Sequence, residues 1–321
     1  MTATNGKTAI SHGSGQMRAQ SISIQVSTRE RCNAGCKFCI SRTTPTCEEE
    51  DRTNIKMCGL ERLTVGLNYA KQLGATHAVL TSRADPTQED EDYLGQLVAT
   101  CRDYLPLVDM HTNGFLLYNG PGRKGDLLKF LAGAGLTHIT FSIASHEAEQ
   151  NKELMVFRQS ALDLIPYAVD LGLLVRCSLV INKMGIATVL EILKYIQAVG
   201  QLGAHMVVIR EVWIPETTQA AVSQEVKEWN KQNWVDIGPL QEEFMQLSEK
   251  SNSFVRRLND LPWGTPVFAV ENIFSSNPHH GVNVTFARCE EGNMGTVIKS
   301  IVHRPNGHGY RNWDSMGDIL Y

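Results

Sequence analysis

Three cysteines, Cys32, Cys36 and Cys39, fall within the stretch RCNAGCKFCISRTTP at residues 31–45. Thiolates are ligands for soft metals. In a Cys-x3-Cys-x2-Cys loop each can bind one iron of a four-iron cluster, and the fourth iron is left open to an external chelate. The competing chemistry is a structural zinc site with Cys47 as fourth ligand. Zinc sites favour two Cys-x2-Cys knuckles, whereas this triplet stands alone. Cys101 and Cys177 fall inside a predicted helix and strand and read as small core residues. Cys47, Cys58 and Cys289 are isolated. With only Cys289 in the C-terminal third, a second cluster is not expected.

The triplet follows a predicted strand, and the rest of the chain supplies five more. Strands read at 21–27, 76–82, 107–114, 137–145, 173–182 and 205–212. Between them lie helical patterns at 60–74, 90–104, 124–135, 158–172 (with a distortion at Pro166) and 186–200. Strand–helix alternation implies a parallel sheet with right-handed crossovers. The expected fold class is α/β: a partial (β/α)6 TIM-like barrel with its functional face at the strand C-terminal ends. That end is where the cysteine loop begins.

Three segments are expected: a disordered tail over 1–20, the core over 21–212, and a C-terminal extension over 213–321 covering the barrel mouth. The extension should hold helices at 222–233 and 239–250 and short strands at 266–271, 282–288 and 295–303. The chain has 321 residues, 42% hydrophobic and 20% charged, with a formal net charge of −4. Nothing there marks a nucleic-acid partner. No stretch reaches the roughly 20 apolar residues of a membrane span, and the polar N-terminus has no secretory core. A cytoplasmic, reducing location is expected, where clustered cysteines serve metals or catalysis.

The motif CNAGCKFC resembles the cluster-binding signature of the radical S-adenosylmethionine (radical SAM) enzymes, including Phe38 before the third cysteine. The resemblance runs over residues 20 to 212, and its flavour is similar to the branch of molybdenum-cofactor biosynthesis enzymes and viperin. It implies one 4Fe-4S cluster on Cys32, Cys36 and Cys39, with SAM chelating the open iron. Reductive cleavage of SAM would give a 5′-deoxyadenosyl radical that abstracts hydrogen from a substrate. TSRADP (81–86) stands where the family has a Gly-Gly-Glu-Pro-like turn, which holds the methionine amino group largely through backbone atoms. Here Ser82, Arg83 and Asp85 replace that pattern, and Arg83 becomes a candidate for the SAM carboxylate or the substrate.

The resemblance also nominates strand-end residues as SAM contacts: Asn113 in HTNG, Ser142 in FSI, and Ser178 and Asn182 in SLVIN. Against this, Asn113-Gly114 is an ordinary turn pair and Asn182 can simply end a strand. Arg176 shares a strand face with Ser178 and can serve the cofactor or pair with a carboxylate. No catalytic residue is nominated. His279 and His280 invite a metal reading, but adjacent side chains seldom chelate together. Tyr310 and Trp313 read as anchors for the C-terminal segment. A small-molecule substrate (nucleoside, nucleotide or sugar-type) is the first expectation, with an electron donor such as flavodoxin or ferredoxin. A peptide substrate is the second, and a zinc-stabilised binding module without catalysis the third.

Overall fold

In a computed structural model of the chain, the residues described are 16–29, 31–42, 57–117, 126–214, 223–271, 281–288, 295–313 and 318–321. Cys47, Cys289, His279 and His280 lie outside them. The six expected strands are present as β2 (Ser21–Gln25), β3 (His77–Thr81), β4 (Leu107–Thr112), β5 (His138–Ser142), β6 (Leu174–Val180) and β7 (Met206–Arg210). They pair in parallel and in chain order. Each crossover carries helix: α1 (Leu60–Gln72), α2 (Glu91–Tyr104), α3 (Leu127–Ala134), α4 (Ala148–Met155) with α5 (Leu164–Asp170), and α6 (Val189–Gln201).

The alternation of each strand explains the curvature. One face of β2 to β7 carries Ile22, Ile24, Ala78, Leu80, Val108, Met110, Ile139, Phe141, Val175, Cys177, Val207 and Ile209, all buried under the helices. The opposite, concave face carries Ser23, Thr81, Asp109, His111, Thr140, Ser142, Arg176 and Ser178. Several of these are half-buried where their neighbours are fully buried, as in the intermediate–buried alternation of β3 and β6. Period-two patterning therefore builds an apolar side under the helices and an opposite, concave side that carries most of the strands' polar groups.

The C-terminal stretch joins the sheet at both edges. β10 (Gly281–Ala287) pairs in parallel with β7, and β9 (Pro266–Glu271) and β8 (Val255–Asp260) follow antiparallel. The chain then crosses to the other edge, where β12 (Ile301–His303) pairs in parallel with β2 and β13 (Gly309–Tyr310) caps it. Among the described residues the edges of this sheet do not pair by backbone. Side chains bridge them: Trp213, after β7, meets Trp313, after β13, at 5.3 Å, and Lys299 lies over the Trp263 ring at 5.1 Å. Helix α7 (Gln224–Asn233) rests on the cysteine loop through a Lys37–Glu225 ion pair of 2.9 Å. Helix α8 (Ile237–Ser248) packs Phe244 against Phe268 and Phe286.

Three sequence expectations need correction. Within the segment expected to be a disordered tail, β1 (Arg18–Ala19) pairs with β11 (Val297–Ile298). The helix expected from 158 starts at Leu164 behind a single 3-10 turn, which places Pro166 in its first turn, where the missing N–H is not needed. Helix α4 and strand β8 were not foreseen. The first is polar and eight residues long, and five of the six β8 residues are exposed, so neither leaves an amphipathic trace.

Tyr310 is fully buried, as befits an anchor. Nearby, burial drives the His303 pKa down to about 4, with His308 adding to the effect. His77 and His138 are also lowered by burial. A folded state that resists protonation loses stability to an unfolded chain that binds protons below about pH 6.5. Stability should be full above that pH and fall as pH drops toward 4, His303 alone accounting for about 3 kcal/mol. Melting temperature across this range checks it, and a flat profile would contradict it.

Candidate functional site

The cysteine loop leaves β2 at its C-terminal end and turns on short contacts. Arg42 N donates to Cys39 O at 3.0 Å, and a 3-10 turn (Ile40–Arg42) closes the loop. Cys36 is buried; Cys32 and Cys39 are half-buried. Three neighbours hold the loop. Gly35 N donates to Met155 O at 3.0 Å, and Cys36 Sγ lies 3.7 Å from the same carbonyl. Asn113 Nδ2 donates to Asn33 Oδ1 at 2.7 Å and reaches Cys32 Sγ at 3.6 Å. Phe38 packs beside Cys36 and tilts against Trp229 of α7 at 6.1 Å.

Gly35 explains one spacer residue of the motif. Val156, in the left-handed region at φ 55°, lies over it, and a Cβ at position 35 would meet Val156 Cβ at 2.7 Å. Gly35→Ala should displace the loop at a cost of about 1–3 kcal/mol and lower the iron retained per chain after reconstitution. Full iron retention with unchanged melting would show that the clamp is loose.

The donor set suits a cluster. Burial pushes the Cys32 thiol up to about 11, while the Ala34 N–H, donating to its sulfur at 3.4 Å, pulls the other way. Burial, then Cys39 and Cys32, push Cys36 up further. Thiolates gathered here need a cationic partner, which irons supply. Amide donors aimed at a ligand sulfur are what tune such clusters. Asn33 Nδ2, buried in the same loop, has no partner among the described residues. Among the described residues no three His, Cys, Asp or Glu side chains close on a single ion. A four-iron cube meets its thiolates at separate corners and does not ask for that convergence.

The turn after β3 is built differently from expectation. Asp85 is buried and its carboxylate is taken up internally: Thr87 N donates at 3.0 Å, Thr112 Oγ1 at 2.9 Å, and Asn113 N at 2.6 Å. Burial raises its pKa, and these donors oppose the rise. Asp85 thus pins the turn to the end of β4 and orients Asn113, rather than facing a ligand. Ser82 Oγ bonds the Ser27 carbonyl at 3.2 Å. Ser27 Oγ donates to buried Glu89 at 2.8 Å, which also holds Arg29 at 2.9 Å. Arg83 is half-buried and has no side-chain partner among the described residues.

The remaining nominated residues separate. Ser142 and Ser178 are half-buried neighbours on adjacent strands of the concave face. Arg176 lies on the same face, with Nη1 donating to Asp109 Oδ2 at 2.8 Å. Its carboxylate-pairing reading therefore holds. Asn182 is fully buried and donates to the Val180 carbonyl at 3.1 Å, closing the β6 turn. It offers a ligand no exposed surface. The sequence reading missed Asp109, His111 and Glu89. The first two carried a signal, a polar alternation within β4 opposite Val108 and Met110. Glu89 had none.

No protein-family model matches the sequence. No curated protein matches it either. Solved structures do. SuiB from Streptococcus suis bound to S-adenosylmethionine aligns over 94% of this chain and 62% of that one, with TM-score 0.57 and 13% identity. SuiB bound to precursor peptide SuiA aligns over 92% and 60%, with TM-score 0.53 and 13% identity. The chain thus spans about three fifths of the length of these proteins. The likeness is one of fold, shared with a protein solved with S-adenosylmethionine, the cofactor that the motif's resemblance implied.

Proposed function

We propose that the chain is a radical SAM enzyme acting on a small polar molecule. The observation that carries it is the three-cysteine loop, set at the C-terminal end of the first strand of a six-stranded parallel core and tied there by Asn113 and Met155. Cys32, Cys36 and Cys39 would hold three irons of one 4Fe-4S cluster. When bound, the cluster and SAM supply a 5′-deoxyadenosyl radical for hydrogen abstraction. The protein's own part is placement. Arg83 is free to meet the SAM carboxylate, and Ser142 and Ser178 offer hydroxyls at the strand ends. Asn113 and Asp85 hold the loop and turn in register. Helix α7, resting on the loop, supports the role of the C-terminal extension as a cover over the mouth.

Substrate class follows from the concave face. It carries the hydroxyls of Ser23, Thr81, Ser142 and Ser178 and the amide of Asn283, beside the apolar Val79, Met206 and Val208. Its buried carboxylate, Asp109, is already paired with Arg176. A neutral, hydroxyl-rich ligand such as a nucleoside or sugar suits such a surface better than a strongly charged one. Electrons would come from a flavodoxin- or ferredoxin-type donor. Among the described residues no helix is long and apolar enough to cross a membrane.

A peptide substrate is the second reading, favoured by the fold shared with SuiB, which was solved with its precursor peptide. The two are separated by anaerobic incubation of reconstituted protein with SAM and dithionite, following 5′-deoxyadenosine. Faster formation with a pool of nucleosides and sugars supports the first reading. Acceleration by short peptides alone overturns it. Stoichiometric zinc in a colourless protein would favour the third, non-catalytic reading, for which Cys47 lies outside the described residues.

A further inference from the structure

Strand β4 places two side chains on the concave face that the placement above does not use. Asp109 is 1% exposed; Thr140 Oγ1 donates to its carboxylate at 3.0 Å and Arg176 Nη1 at 2.8 Å. Its Oδ2 lies 3.3 Å from His111 Nε2, an ion-pair distance set off the line of a well-formed hydrogen bond. Burial alone would push the Asp109 carboxyl up. The His111, Arg176 and Thr140 contacts outweigh burial and hold it well below the usual carboxylate range. Asp109 is therefore a fixed, buried anion on this face, and His111 beside it keeps 27% of its side chain exposed.

The other titratable groups around the pair are His77 on β3, His138 on β5 and Arg176 on β6. They differ from His111 in one respect. His77 Nδ1 is engaged by Thr76 at 2.8 Å, and His138 Nδ1 by Thr137 at 2.9 Å. Arg176 is engaged by Asp109. No group among the described residues bonds His111 Nδ1. A partly exposed imidazole with one nitrogen against a buried carboxylate and the other without a partner among the described residues is the arrangement of an oriented general base.

We propose that His111 is the proton-transferring residue of the concave face and Asp109 its positioning residue. With the proton on Nε2, beside Asp109, the lone pair is on Nδ1. It takes the proton of a substrate hydroxyl beside the reacting carbon, leaving an alkoxide on the substrate and an imidazolium that Asp109 stabilises. Arg176 Nη2, which reaches the weak acceptor Met206 Sδ at 3.9 Å, stands on the same face as a donor for the developing charge. The inference rests on the small-molecule reading and deepens it: the substrate must carry an ionisable hydroxyl close to the carbon that loses hydrogen.

The test is ¹⁵N-histidine NMR on the full chain, with diethyl pyrocarbonate as the accessibility probe and peptide mapping of the product. His111 is expected in the Nε2–H tautomer, to be carbethoxylated at Nδ1 and not at Nε2, and to change tautomer in Asp109→Asn. An Nδ1–H tautomer in the unaltered chain, or modification of His111 at Nε2, would overturn the proposal. Both readings need no variant, so they stand even if Asp109→Asn fails to fold. Failure to form 5′-deoxyadenosine would sink the enzyme reading instead. A chain that cleaves SAM but shows the wrong tautomer would lose only the role given to His111.

Discussion

Replacing Cys32, Cys36 and Cys39 together by alanine should abolish bound iron and sulfide and reduce 5′-deoxyadenosine formation by at least about 100-fold. Each single substitution should do nearly as much, because a cube held at two corners is exposed to loss of iron and to oxidation. The fold should survive. The loop lies outside the main core, in a small cluster with Ala144, Leu154 and Met155, and its removal leaves the strands and helices intact. Cys101→Ala is the matched control. That cysteine is fully buried between helix and sheet, so its loss should cost about 1–2 kcal/mol through the small cavity left, with iron content unchanged. Iron and sulfide per chain, read beside melting temperature, separate the two kinds of cysteine. Equal iron in the triple variant and the unaltered protein would remove the cluster from this loop.

Asp85→Ala is expected to be the most damaging single change to stability near the site. The carboxylate receives two backbone N–H groups, from Thr87 and Asn113, and the hydroxyls of Thr87 and Thr112. Truncation strands these buried donors together, and each unsatisfied group costs about 1–3 kcal/mol. A loss of about 3–5 kcal/mol in urea unfolding is expected, given partial relaxation. Asp85→Asn keeps an acceptor oxygen and should cost about half of that. The damage should also reach the cysteine loop, because Asn113, oriented by its own backbone bond to Asp85, bonds Asn33. Reconstituted iron should therefore fall with stability in Asp85→Ala. A change below about 1 kcal/mol would show that the turn is held by other contacts.

These two predictions mark what the sequence could and could not disclose. The triplet was legible because its ligands are local, falling on one loop in a fixed spacing. Strands β2, β3 and β6 were legible because their residues alternate between buried and half-buried, which prints a period of two, and β5 and β7 as short, largely buried runs between helical patterns. Residues that support the loop were not legible. Met155 lies 119 positions from Cys36, and Asp85 28 positions from Asn113. No local pattern encodes such pairings. The same holds for the sheet edges: β10 joins β7 and β12 joins β2 through backbone register alone, so a stretch read as a cover proved also to extend the sheet. Asp85 resembled a ligand-facing turn residue because its type and position fit the motif. Only its burial and its donors show where its charge is directed.

The cysteine loop is expected to hold a cluster with one iron open to SAM. Electron paramagnetic resonance on anaerobically reconstituted, dithionite-reduced protein tests this most directly, recorded with and without SAM. A reduced-cluster signal whose g-values move when SAM is added is the predicted result, because the cofactor binds the iron that no cysteine covers. A reduced signal indifferent to SAM would mean a cluster closed by a fourth protein ligand. No signal at all, with zinc in its place, would contradict the account.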